Sequence, residues 1–280
     1  MNRLVSAARR ASFVALLAAC LACAPGSEPQ LSKLVITGSS TVAPLMAEIA
    51  KRYESEHPDV RIDVQTGGSS RGIADARSGA AELGMISRDL KADEQDLQAV
   101  TVARDGVSLI LHASNPVANL TRDQVRAVFR GELTSWAELG GPEKEITVVN
   151  KAEGRATLEV FKDYFGLESP EIQADVVIGH NEQGVKTVAG NPGAVGYVSI
   201  GVAEANIAAG VAIRLVAVDG AMPSTTAVAD GSFPIARPLS LVHGDVLGEA
   251  TRRFLDYCRS DAVSDLIVAQ RFVPVGAETP

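Results

Sequence analysis

Three stretches of the chain place small hydroxyl residues between an apolar run and the start of a helix. The first is Gly38-Ser39-Ser40-Thr41, after the apolar run Leu34-Val35-Ile36. The second is Thr66-Gly67-Gly68-Ser69-Ser70-Arg71-Gly72, after the alternating segment Val60-Arg61-Ile62-Asp63-Val64. The third is Lys151-Ala152-Glu153-Gly154-Arg155-Ala156-Thr157, after Ile146-Thr147-Val148-Val149-Asn150. A helix start leaves its first N–H groups without intrahelical acceptors and carries the positive end of the helix dipole. Such a turn can hold a small anion, with Ser39, Ser40, Thr41, Ser69, Ser70 and Thr157 adding hydroxyl donors. Lys151 and Arg155 add positive charge. Cations at a helix N-terminus are mildly unfavourable on their own, so a bound anion would account for them. Ser87 and Arg88, at the polar end of Glu82-Leu83-Gly84-Met85-Ile86, are two further candidate donors. One turn of this kind is an ordinary helix cap. Its recurrence is what points to a shared ligand.

Other chemistries fit less well. Gly67 and Gly72 have the spacing of a phosphate loop, but Ile73-Ala74 stand where Lys and Ser/Thr belong. Gly68-Ser69-Ser70-Arg71-Gly72 matches the G-x-S-x-G elbow, which would make Ser70 a nucleophile needing His180 or His243 and an acid. The four histidines, His57, His112, His180 and His243, lack metal-ligand spacing, and no paired-carboxylate site is evident. No catalytic residue, metal or cofactor is therefore expected.

The elements that must position these turns follow from periodicity. Val42, Leu45, Met46, Ile49, Ala50 and Tyr53 recur as one buried helix face. A second helix is predicted from Ile73 to Ser78, and a third from Arg122 to Phe129 with Thr121 as its N-cap. A fourth carries Leu158, Phe161 and Phe165, and another runs from Glu182 to Ala189. Val107–His112, Val176–Ile178, Ala194–Val198, Ile213–Val218 and Pro238–Val242 read as strands, and Trp136 as a local core residue. Two helices close the chain, one with Leu247, Ala250, Phe254, Leu255 and Cys258 on one face, the other with Val263, Leu266 and Ile267. Strands alternating with helices mean an α/β fold.

The N-terminus carries Arg3, Arg9 and Arg10 and then the apolar stretch Ala11–Ala19, a secretory signal too short to span a bilayer. It ends in Leu17-Ala18-Ala19-Cys20, which resembles a bacterial lipobox and marks Cys20 as the lipidated residue. Residues 21–32 read as a polar tether. Removing residues 1–20 takes three of the 26 basic residues and none of the 34 acidic ones, leaving a net charge of −11. That balance argues against a nucleic-acid partner. It leaves room for an anion in a recessed site lined by local dipoles. Cys258 alone lies in the folded part, so no internal disulfide is expected there.

In this order the motifs resemble the PstS-type phosphate-binding proteins, substrate-binding components of bacterial phosphate ABC transporters in the periplasmic-binding-protein type II superfamily. The resemblance runs from Leu34 to Val275. It rests on Gly38–Leu45, Gly67–Gly72, Gly84–Arg88, Val128-Phe129-Arg130-Gly131 with Trp136, Gly193–Tyr197 and Phe272-Val273-Pro274. It implies two lobes, each a mixed sheet flanked by helices, closing about a two-strand hinge. Lobe 1 is expected over 33–111 plus 240–275 and lobe 2 over 112–239. By position, Ser40 and Thr41 with Val42 match the first phosphate-contacting turn, and Ser69 the second. Lys151 stands where many relatives have an arginine. Arg155-Ala156-Thr157 replaces the family's Ser-Gly-Thr. The acidic residue that accepts the ligand proton in the best-known members is replaced by Ser87-Arg88, with Glu153 or Asp89 as substitutes.

The expected function is phosphate capture between the lobes and delivery to ABC permease subunits, by a monomer lipid-anchored at the periplasmic or cell-surface side of a bacterial membrane. Sulfate, molybdate or tungstate are competing ligands of the same architecture. A serine hydrolase using Ser70 and a signalling or adhesion lipoprotein are alternatives of other classes.

Overall fold

A computed structural model describes residues 31–275. The expected signal segment, Cys20 and the tether as far as residue 30 lie outside the described residues. The chain builds β1 (Ser32–Gly38), α1 (Ala43–Glu56), β2 (Val60–Thr66), α2 (Ser69–Ser78) and β3 (Leu83–Ile86) before the long strand β4 (Gln98–His112). Next come β5 (Asn119–Leu120), α3 (Arg122–Phe129), β6 (Thr147–Lys151), α4 (Ala156–Phe165), β7 (Val176–Ile178), α5 (Asn181–Gly190) and β8 (Ala194–Ser199). They are followed by α6 (Ile200–Ala208), β9 (Ile213–Leu215), β10 (Ala217–Val218) and α7 (Thr225–Ala229). The return strand β11 (Ala236–His243), α8 (Glu249–Cys258), α9 (Ser264–Ala269) and β12 (Val273–Pro274) complete the described chain. Ser32, the last residue of the expected tether, already pairs with Val60 in the sheet.

One sheet runs through the molecule in the order β2-β1-β3-β11-β4-β8-β6-β7, with β9 and β12 also on β4. β1 lies parallel between β2 and β3, and β6 parallel between β7 and β8. β4 and β11 run antiparallel through the middle. Two apolar cores flank this crossing. Leu34, Ile36, Leu45, Met46, Ile49, Tyr53 and Phe254 pack the first, where α1 lays its apolar stripe on the sheet. Each such side chain removed from water contributes roughly 1.5–3 kcal/mol. Val107, Leu109, Leu111, Phe129, Trp136, Phe161, Phe165 and Tyr197 pack the second. Tyr197 stacks on Phe161 with ring centroids 4.0 Å apart, and the Trp136 indole N–H donates to the Gly193 carbonyl at 2.8 Å.

The cores change over ahead of the expected divides at 112 and 240. β4 serves the first core through Val102 and Ala103 and the second from Val107 onward. β11 pairs with the first-lobe half of β4 from Ala236. The hinge strands are continuous, so no break in sequence marks the divide. Ile213–Val218, expected as one strand, splits at Val216 because β9 pairs with β4 while β10 pairs with β5. Helix α3 begins as expected, with the Thr121 hydroxyl accepting from Gln124 N at 3.1 Å and Gln124 Oε1 accepting from Thr121 N at 2.8 Å.

Candidate anion-binding site

Two sets of parallel strands, β1–β3 and β6–β7, run in opposite senses and point their carboxyl ends at one place between the cores. Ser39 follows β1, Gly68 and Ser69 follow β2, Ser87 follows β3, Lys151 ends β6, and Gly179 follows β7. Ligands of open α/β sheets bind outside such strand ends. The helices that leave these strands begin at the same spot. α1, α2, α4 and α5 start with Val42, Gly68, Arg155 and His180 as N-cap residues, none of which caps its helix with its own side chain. By contrast α3, α6 and α7 are capped by Thr121, Ser199 and Ser224. The α8 start lacks such a cap too, so the convergence of four such ends is what makes the site.

Two glycines permit this convergence. Gly38 has φ +129°, and a Cβ there would lie 2.3 Å from the Met85 carbonyl oxygen. Gly68 has φ +99°, and its Cβ would lie 2.6 Å from the Gly154 carbonyl oxygen in the other lobe. Any side chain at Gly68 would hold the lobes apart.

The ends enclose a polar cavity of about 10 Å³, room for about one water molecule and too little for an organic substrate. Ser39, Ser40, Thr41, Gly68, Ser69 and Ser87 line it from lobe 1, and Lys151, Arg155, Ala156, Thr157, Gly179 and Asn181 from lobe 2. Nine of the expected site residues are therefore brought together: Ser39, Ser40, Thr41, Ser69, Ser87, Lys151, Arg155, Ala156 and Thr157. Three are not in the lining. The Val42 side chain is buried in the first core. Ser70 Oγ donates instead to Glu159 Oε1 at 3.4 Å. Arg88 turns away, donating to both Glu94 oxygens at 2.7 and 2.8 Å and to the Asp89 carbonyl at 2.8 Å. Glu153 and Asp89, the suggested proton acceptors, are exposed and outside the lining.

The hydroxyls are oriented by what they accept. Thr41 Oγ1 accepts from Asn181 Nδ2 at 3.1 Å, Thr157 Oγ1 from Arg237 Nη1 at 3.0 Å, and Ser69 Oγ from Ser87 N at 3.2 Å. Each keeps its own hydrogen to donate into the cavity. Ser39 works differently: its oxygen accepts from Thr41 N and Val42 N, and its hydrogen goes to Ser87 Oγ at 3.0 Å. It shapes the turn.

Asn181 and Arg237 were missed from the sequence. Asn181 Oδ1 accepts from Lys151 Nζ at 2.9 Å, so one amide fixes both the ammonium and the Thr41 hydroxyl. Arg237 lies beneath the cavity on β11 and is paired with buried Asp105 of β4 at 2.9 Å. It also reaches Ser87 Oγ and Thr41 Oγ1 in lobe 1 and Thr157 Oγ1 in lobe 2. Its signal was a charge inside the apolar run Ile235–Val242, facing another, Asp105, in the partner strand.

Charge is unbalanced here. Lys151 is buried, and burial first, then Arg237 and Arg155, hold its ammonium down to about 7. His180 is lowered by burial and then by Arg155 and Lys151. Arg155 Nη1 is buried without a hydrogen-bond partner. No carboxylate is among the lining residues that are described. An anion placed in the cavity would supply the missing acceptor.

Two lobes closing on a polar cavity at the strand ends define a periplasmic-type binding protein. A profile of the PBP superfamily domain matches residues 24–262. The phosphate-binding protein PstS of Bacillus subtilis is 30% identical over 98% of this chain and 94% of its own. A crystallised substrate-binding protein from Clostridium perfringens with bound phosphate superposes with a TM-score of 0.81 at 32% identity, covering 87% of this chain and 100% of that one. An ABC-type phosphate transport receptor from Vibrio cholerae does so with a TM-score of 0.72 at 29% identity, covering 86% and 99%. The chain belongs to the PBP superfamily and, within it, to the PstS phosphate-binding protein family.

Proposed function

We propose that this protein binds inorganic phosphate in the cavity and delivers it to the membrane subunits of an ABC importer. One observation carries the reading: four helix N-termini, two cations and three hydroxyls with a free hydrogen converge on a cavity without a lining carboxylate. That arrangement suits a small, highly charged acceptor. The relatives named phosphate-binding proteins, one of them crystallised with phosphate, support the choice of anion.

On this reading Ser40, Thr41, Ser69, Lys151, Arg155, Ala156 and Thr157 contact the ligand, and Asn181 and Arg237 position the contacts. The protein is a carrier and performs no catalysis; the Ser70 hydroxyl serves Glu159 across the cleft rather than a nucleophilic attack. It acts as a monomer, tethered outside the cytoplasmic membrane through a lipid on Cys20. No described helix is long and apolar enough to cross a membrane. Equilibrium dialysis of ligand-stripped protein against radiolabelled phosphate tests the reading: retention of one phosphate per chain is expected, and none would refute it.

A second reading is favoured by the absence of a lining carboxylate. Nothing negative in the cavity demands a proton from the ligand, so a fully ionised oxyanion such as sulfate, molybdate or tungstate meets no fixed lone pair. Competition of each with labelled phosphate in the same dialysis decides between them.

A further inference from the structure

Arg88 was expected to hold the ligand, and the structure gives it another partner. Its guanidinium is clamped by Glu94 of its own lobe, at 2.7 and 2.8 Å, with both side chains buried. The remaining edge faces lobe 2, where Arg88 Nε stands 2.6 Å from Glu159 Oε2. This is an ion pair set off the hydrogen-bond axis. Lys91 Nζ reaches the same carboxylate oxygen at 2.9 Å, and Ser70 Oγ its partner oxygen at 3.4 Å. Ser70 N also donates to the Gly154 carbonyl at 3.3 Å. Glu159 thus meets two cations and one hydroxyl of lobe 1.

We infer that Glu159 is an interlobe latch, docking on a guanidinium already set by Glu94 and thereby fixing the rate at which bound anion escapes. The inference rests on the proposed anion-binding function. Its members are tied in sequence to the site. Arg88 follows Ser87, Ser70 follows Ser69, and Glu159 sits in the first turn of α4, two residues beyond Thr157. Docking Glu159 therefore seats the α4 N-terminus, with Thr157 and Ala156, against the cavity. The Arg88–Glu94 pair lies wholly within lobe 1, so the ordering of the guanidinium does not depend on closure. In the closed form the Glu159 side chain is 13% exposed and that of Lys91 50%, so Arg88 makes the stronger contact. When the lobes part, Glu159 returns to water, and the latch contributes nothing to the open form. Glu159 does not itself line the cavity and is a positioning residue.

The test uses stopped-flow release and capture of inorganic phosphate. Glu159→Gln is expected to speed phosphate dissociation about tenfold while changing association by no more than about twofold, as loss of one partner of a docked charge pair acts on the off-rate. Lys91→Ala is expected to speed it by about two- to threefold, as befits a half-exposed partner. The melting temperature of phosphate-free Glu159→Gln should match wild type, because the latch is unmade there. Equal dissociation rates for wild type and Glu159→Gln would overturn the latch, as would a lowered melting temperature of the phosphate-free variant, which would mark a folding role. Wild-type protein that binds no phosphate would end the functional reading instead. The latch would then be judged by the same release measurement with whichever of sulfate, molybdate or tungstate the wild type retains: equal dissociation rates for wild type and Glu159→Gln overturn it, as does retention of none of them.

Discussion

The two walls of the cavity are built from the same device and charged differently. Lobe 1 contributes Ser39, Ser40, Thr41, Gly68, Ser69 and Ser87, all neutral. Lobe 2 contributes Lys151 and Arg155 along with Thr157 and Asn181. Hydroxyls and N–H groups on rigid turns fix where the oxygens of an anion sit, whereas a buried cation supplies attraction with little direction. The neutral wall sets geometry; the charged wall sets strength. Arg237, at the hinge beneath both, bonds a hydroxyl from each lobe and is neutralised by Asp105.

The most damaging change would remove what the walls share. Arg237→Met leaves Asp105 buried without its partner and is expected to cost about 3–5 kcal/mol of folding stability, read from urea denaturation of the ligand-free protein. A loss below about 1 kcal/mol would show that Asp105 finds another partner or a proton.

Removing one donor from either wall should be milder. Ser69→Ala is expected to weaken phosphate binding by about 1–3 kcal/mol, through the buried donor lost to a charged acceptor. Thr157→Val should cost a similar amount from the other side, measured by the same equilibrium dialysis. Unchanged affinity in either variant removes that hydroxyl from the ligand's contacts.

The charged wall predicts a pH dependence that the neutral wall lacks. Below about pH 7 Lys151 is an ammonium in folded and unfolded chains alike. Between about 7 and its ordinary 10.5 the unfolded chain keeps the proton and the folded chain, with its lobes closed as here, does not. This group therefore makes folding more favourable as pH rises through that window. A bound anion reverses the preference by favouring the ammonium, so binding takes up a proton above about pH 7 and affinity falls as pH rises. Calorimetry in buffers of different ionisation enthalpy measures the uptake, and Lys151→Met should abolish its Lys151 share. Equal uptake by wild type and Lys151→Met would mean that Lys151 stays charged, or stays neutral, throughout.

The smallest effect is expected at Ser70, outside the lining: Ser70→Ala should alter phosphate affinity by less than about 0.5 kcal/mol. A loss as large as that of Ser69→Ala would return Ser70 to the ligand's contacts.

The walls also differed in how far they could be read from sequence. Each lobe 1 turn is contiguous, so Ser39–Thr41 and Gly68-Ser69 announced themselves by small polar residues at the end of an apolar run. The same pattern found Lys151 and Thr157. Asn181 was hidden because its role depends on α5 starting beside Lys151, a contact across 30 residues. Arg237 and Asp105 meet across 132 residues on antiparallel hinge strands, and only the register of β4 with β11 pairs them. Arg88 misled for the converse reason: it neighbours Ser87 in sequence, but the chain bends beyond the end of β3 and the Arg88 side chain turns toward Glu94. The α/β alternation was legible in most of the long elements, whereas the first half of β4, the short β5 and α7, and α6, rich in Ile, Val and Ala on several faces, were not.

Isothermal titration of ligand-stripped protein with phosphate tests the central claim most directly, using wild type beside Gly68→Val. The branched side chain cannot fit between the lobes, because even a Cβ would stand 2.6 Å from Gly154 O. Tight binding of one phosphate per wild-type chain, lost in Gly68→Val while the variant still folds, is the predicted result. Equal binding by both proteins would contradict a site formed by closure of the two walls on the anion.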